Sequence, residues 1–190
     1  MRRRVVVTLS LSLSLALTLA AAGAAAQFDV KQAEPVLRDR VLYVNTRLDL
    51  ALNRRTEEAL SKGIPIDITI DIKLVRYRWW WTNIVITDVT LNRRLQFHAL
   101  SRQYLVSSRG GDEPAESFGS LTQALAYLGD LSGFTIPLTA KKELLPDARH
   151  LLVLRARLDI EALPVVMRPL AYATPSWRLS TGWTEWPVQP

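Results

Sequence analysis

Residues Gly63 to Trp81 read GIPIDITIDIKLVRYRWWW, and the fold class follows from the rhythm of this stretch. Ile64, Ile66, Ile68, Ile70, Ile72 and Leu74 fall on one parity; Pro65, Asp67, Thr69, Asp71 and Lys73 fall on the other. A strand turns successive side chains to opposite faces. The segment therefore predicts a central strand with one β-branched face for a core and one polar face for water. Asp67 and Asp71 share the polar face. By the rise of a strand they stand roughly 13 Å apart, too far for the carboxylate pair of a retaining glycosidase and long for an inverting one. A solvated sheet face is the expectation for them. The stretch then turns basic and aromatic through Arg76, Arg78, Trp79, Trp80 and Trp81. If the alternation continues, Trp80 joins the core parity of Ile72 and Leu74, while Trp79 and Trp81 point outward.

Working outward toward the N-terminus, Gly63 reads as the stop of a helix over NRRTEEALSKG, with Asn53 as its N-cap. Glu58 and Lys62 are four apart in the favourable order. Before it, Leu42, Val44, Thr46, Leu48, Leu50 and Leu52 share a parity and predict a half-buried strand. Residues 27–40 read as a polar lead-in. Toward the C-terminus, Asn83 to Leu91 is a β run and Asn92-Arg93 reads as a turn. Leu95, Phe97 and Ala99 alternate on the return, so residues 83–100 predict a hairpin. Gln103 to Ser107 continues the sheet, and Ser108 to Ser117 reads as a loop. Ser120 with Gln123 matches a capping box opening a second helix that Gly129 ends. Phe134 to Leu138 is a short strand, Lys141 to Arg149 a polar connection, and Leu152 to Ile160 alternates again. From Leu163 onward repeated proline predicts extended loops or sheet edges, with Trp177 to Trp183 as the last strand-like piece. The sum is a mainly β chain with six or so strands and two short helices: an antiparallel β-sandwich or a curled sheet.

The first 26 residues stand apart. Arg2, Arg3 and Arg4 precede an apolar run from Val5 to Ala22, and Ala24-Ala25-Ala26 offers a small-residue cleavage site. That order predicts a secretory signal peptide over residues 1–26, cut to leave Gln27 as the mature start. The rival is an uncleaved inner-membrane anchor over residues 5–26. Residues 27–190 then form a single β-rich periplasmic domain with a proline-rich C-terminal extension. Removing the leader takes 24 Lys+Arg to 21 against 18 Asp+Glu, so the net charge falls from +6 to +3. A basic balance that resides half in the leader gives no ground for nucleic-acid binding. Cysteine is absent, which excludes disulfides, thiol catalysis and thiolate metal sites.

Catalytic signatures are not found: there is no P-loop, no G-x-S-x-G, no H-E-x-x-H and no S-x-x-K beyond the leader. His98 sits on a predicted strand and His150 just before another. Two isolated histidines make a poor metal set, so no catalytic residue, no metal and no cofactor is expected, and His98 with a distant acid is where an enzyme reading would have to look. The unusual feature is the cluster Arg76, Arg78, Trp79 and Trp81. Outward tryptophans beside arginines suit a protein partner, a glycan face or a lipid headgroup layer. Against these stands a covered cluster, with Trp177, Trp183 and Trp186 from the tail as covering partners.

Several ordered segments carry a resemblance: EEALSKGIPIDITIDI, the tryptophan cluster, LQFHALSRQYLV, SFGSLTQALAYLG and RARLDIEALPVVMRPL. Together, over about Val41 to Gln189, they resemble the bacterial exported proteins of the domain of unknown function 4390 family. The resemblance implies no activity. It implies a genomic neighbour, a membrane sensor histidine kinase, which with other envelope proteins is the partner expected. Membrane contact is otherwise expected only through the N-terminal segment, if that is uncleaved. The functional expectation is an exported, non-catalytic, protein-binding or envelope-signalling factor; the alternative is a carbohydrate- or lipid-binding envelope module.

Overall fold

The computed structural model describes residues 27–109, 114–138 and 148–189. The expected leader over residues 1–26 and most of the expected polar connection before Arg149 lie outside the described residues. Among the described residues eleven strands and three short helices follow one another. They are β1 (Phe28–Ala33), β2 (Val36–Arg38), β3 (Val41–Val44), β4 (Thr46–Leu50), α1 (Arg54–Ser61), β5 (Ile66–Arg76) and β6 (Ile84–His98). Then come β7 (Gln103–Ser108), β8 (Glu116–Phe118), α2 (Leu121–Gly129), β9 (Phe134–Pro137), β10 (His150–Leu158), α3 (Arg168–Ala173) and β11 (Thr184–Pro187). Short 3-10 turns flank α3.

The strand read from Gly63 onward is β5, and it lies third in an antiparallel six-stranded sheet of order β11-β10-β5-β6-β7-β8. Its even-numbered side chains, Ile66, Ile68, Ile70, Ile72 and Leu74, have no exposure at all. Leu152, Leu154 and Ala156 of β10 flank them in register, Leu154 opposite Ile72 and Ala156 opposite Ile70. The second layer comes from the four strands ahead of α1 together with β9. There β1 pairs with β4, and β2, β3 and β9 form a three-stranded sheet, all antiparallel. Phe28, Val30, Leu42, Val44, Leu48 and Leu50 turn inward and join the same core as the β5 isoleucines. The architecture is thus mainly β and antiparallel, built of open sheets packed in two layers, with α2 laid against β4 and β7.

Both expected helix starts are present. Asn53 Oδ1 accepts from the backbone N–H groups of Arg55 and Thr56, and Ser120 Oγ accepts from Gln123 N. Arg93 Nη1 donates to the carbonyls of Tyr127, Leu128 and Asp130, so a cation closes the C-terminal end of α2.

Several expectations are corrected. Residues 27–40 are not a polar lead-in but β1 and β2, with Phe28 fully buried. No turn interrupts β6 at Asn92-Arg93: Asn92 pairs with Thr69, whose Oγ1 donates to Asn92 Oδ1 at 3.0 Å. Because both residues have partners across the sheet, the strand runs on and the hairpin turn falls at residues 99–102. The proline-rich tail holds a third helix, α3, with Pro169 in its first turn, where a missing N–H costs nothing. Trp177 to Trp183 is not a strand; the tail's strand is β11, which pairs with β10. No helix among the described residues is long and apolar enough to cross a membrane.

Candidate functional site

Strand β5 ends at Arg76, and β6 begins at Ile84, which pairs with it. Between them the chain makes a seven-residue tip, residues 77–83. Its closure is local: Arg78 N donates to Asn83 Oδ1 at 3.1 Å. A register shift lies just below the tip, where Leu74 pairs with Thr87 but Val75 with Val85, and such a bulge adds twist to the end of the hairpin.

The tip carries Tyr77, Arg78, Trp79, Trp80 and Trp81, with Arg76 at its base. Trp79, Trp80 and Trp81 are 78%, 66% and 73% exposed. Trp80 is therefore not core. The alternation rule holds only while the chain is a strand, and the strand has ended four residues earlier. Nor does the tail cover the cluster. Trp177 is buried elsewhere in the core. Trp183 lies instead under two cations, Arg155 at 4.2 Å and Lys73 at 5.2 Å from its ring centre. The rings of Trp79 and Trp80 meet edge to face, 5.0 Å apart at 79°. Arg149 lies over the Tyr77 ring at 5.4 Å, which adds a third arginine to the tip. Between Lys73 and Asp88 the only charged side chains are Arg76 and Arg78.

The structure thus gathers Arg76, Arg78, Trp79 and Trp81 at one place and adds Tyr77, Trp80 and Arg149. Asn83 was the available signal for a turn, since its side chain can accept a backbone N–H two to five residues back in the chain. Arg149 had no local signal, because only the β5–β10 pairing brings it there.

The polar face of β5 is also unlike the expectation. Asp67 is 2% exposed, and Thr69 and Asp71 are buried too. Arginines on neighbouring strands lie across them. Arg94 holds Asp67 through two bonds, Nε to Oδ1 at 2.7 Å and Nη2 to Oδ2 at 2.8 Å, and Arg109 adds a third at 3.1 Å. Arg155 grips Asp71 Oδ2 through Nη2 at 2.7 Å, Arg157 approaches it at 3.6 Å, and Thr90 donates to Oδ1. Burial pushes the Asp71 carboxyl up. The hydrogen bond and charge of Arg155, the bond from Thr90 and the charge of Arg157 outweigh it and hold it below the usual carboxylate value. This face is an ion-pair lattice, and every carboxylate named in it is held by arginine.

Other candidate places carry less chemistry. An open groove of about 670 Å³ lies between β4 and α2, lined by Leu50, Leu52, Leu121, Leu125 and Tyr127 with a rim of Lys31, Asp49 and Glu57. Lys31 is paired there with Asp29 and Asp49. His98 is exposed at the end of β6, with Nδ1 3.0 Å from Ser101 Oγ. His150 is buried at the start of β10, at the other end of the sheet. Among the described residues no group of three His, Asp or Glu side chains is placed to hold a metal ion. Around α3, Val165, Val166 and Leu170 are exposed, at the opposite end of β5 from the tip.

A family model, Domain of unknown function (DUF4390), matches residues 25–187. The chain belongs to the DUF4390 family. No curated protein and no solved structure matches it. The DUF4390 match takes in both layers of the sandwich, the tip and the arginine-paved face, so these are parts of one family domain. The description of DUF4390 names no activity, substrate or partner.

Proposed function

We propose that the chain is an exported, non-catalytic binding protein of the cell envelope that meets its partner through the β5–β6 tip. One observation carries the reading. Three consecutive tryptophans stand about two-thirds or more exposed on a hairpin end, with none of the described elements covering them. Large aromatic surface left in water is normally covered in a soluble domain, and tryptophan beside arginine is the composition of contact hot spots. The leader pattern of residues 1–26 supports export. The separation of the two histidines to opposite ends of the sheet supports a binding role over a catalytic one.

The experiment is in-cell crosslinking of the full-length protein with a photo-reactive residue in place of Trp81, read by mass spectrometry. The expected result is a defined adduct, to an envelope protein such as a membrane sensor or to an envelope ligand. A second probe at Asp39, on the exposed β2–β3 turn, gives the background. Adducts no different from that background sink the reading.

A further inference from the structure

Resting on the reading of the tip as the contact surface, we infer that its partner is a bilayer: the tip seats at the headgroup level of a membrane containing anionic lipid. Four observations favour this over a glycan or a protein groove. The first is ring geometry. A sugar face stacks on a flat aromatic platform, and Trp79 and Trp80 meet at 79°, so they offer none. Rings that project in different directions suit a medium without a fixed shape. The second is composition. Tryptophan and tyrosine collect at membrane interfaces because each has an apolar body and a polar atom that stays hydrated. Tyr77, Trp79, Trp80 and Trp81 follow one another with a single interruption, Arg78.

The third is charge. Arg78 lies within the tip and Arg149 over the ring of its Tyr77, and no carboxylate lies in sequence between Lys73 and Asp88. Long arginine side chains can lay their stems on apolar surface and keep the charged head among phosphates. The fourth is size. A stable protein interface takes about 800 Å² and 20–30 residues from each partner. The tip has seven residues, whereas an interfacial element needs to sink only about 5–10 Å into the headgroup boundary. None of residues 77–83 belongs to the core cluster, so the tip can leave water without disturbing the fold.

The test is co-sedimentation of the full chain with two kinds of vesicle, pure phosphatidylcholine and phosphatidylethanolamine with phosphatidylglycerol. Three proteins are compared: wild type, W79A/W80A/W81A and R78Q/R149Q. Any contribution of the N-terminal segment is common to all three. The wild type should partition to the anionic vesicles, and more weakly to the neutral ones, with tryptophan emission shifted to the blue and shielded from an aqueous quencher. The tryptophan variant should lose that partition on both vesicle types. The arginine variant should lose about thirtyfold on anionic vesicles at low salt, from about 1 kcal/mol per basic residue at the surface, and little on neutral ones. Equal sedimentation of wild type and tryptophan variant, or none by either, overturns the bilayer proposal.

The crosslinking experiment separates the two levels. A protein adduct at Trp81 without vesicle binding removes the bilayer and leaves the tip as the contact surface. No adduct above background, together with no vesicle binding, removes both. Circular dichroism and melting of each variant establish that the fold is retained.

Discussion

At the scale of single residues, the polar parity of β5 is where the protein spends charge on structure. Asp67 is almost wholly out of water, yet its arginine partners keep about a third to a half of their surface in solvent. Removing a buried carboxylate strands the cations around it, at about 3–5 kcal/mol for a fully buried pair. For arginines that can rehydrate, the lower part of that range applies. Asp67→Ala should therefore destabilise the protein by about 2–3 kcal/mol in urea unfolding. A loss under about 0.5 kcal/mol, typical of a surface site, would contradict the clamp. Asp71 gives the pH dependence. Its folded pKa is depressed, so its contribution is fully present above the unfolded value of about 3.9 and is lost as pH falls through the folded value. Stability of the wild type should fall as pH drops below about 4, the unfolded carboxylate value. Asp71→Asn should show a shallower fall on acidification below that value, and parallel curves would remove Asp71 as a source of it.

At the scale of elements, helix ends and close approaches decide how the layers join. Asn53 caps α1 through two backbone N–H groups, and its Nδ2 also donates to the carbonyl of Ser176, tying α1 to the tail. Loss of a cap costs about 1–2 kcal/mol. Because the tail bond goes as well, Asn53→Ala should fall at the upper end, and thermal unfolding measures it. Gly129 ends α2 against β4. A Cβ there would meet the carbonyl oxygen of Leu48 at 2.5 Å, a backbone atom that cannot swing away. Gly129→Ala must push α2 off β4 at about 1–3 kcal/mol, the usual cost of overpacking. Helix starts were legible in the sequence because capping is local. The β6 hairpin turn was misplaced because Asn92 and Arg93 are turn-like in composition, while their actual partners, Thr69 and the end of α2, are 23 or more residues away.

At the scale of the whole molecule, the tip is set apart from the parts that hold the fold together. The triple replacement W79A/W80A/W81A should leave the melting temperature within about 6 °C, since exposed sites change stability by under about 0.5 kcal/mol each. A drop of 8 °C or more would mean that the rings pack on the body. The geometry also sets direction. Ten residues of β5 separate Ile66 from Arg76, about 33 Å at the rise of a strand. Phe28 pairs with Leu50, three residues before the α1 cap, at the Ile66 end. The chain therefore enters the fold at the end opposite the tip, and a membrane met by the tip is met at the far end from Gln27.

The sequence by itself determined the class of fold and the cluster. Alternation along Ile64 to Leu74 and along β10 is written in consecutive residues, and hydrophobic burial reads that pattern directly. The run Arg76 to Trp81 was equally visible as an unusual composition. What only the tertiary structure decided is what stands over each face. Whether Asp71 meets water or arginine depends on Arg155, 84 residues away in the chain. Whether Trp80 enters the core depends on where pairing between β5 and β6 stops. Parity states which side a residue is on; long-range pairing sets how far the strand extends and what covers that side.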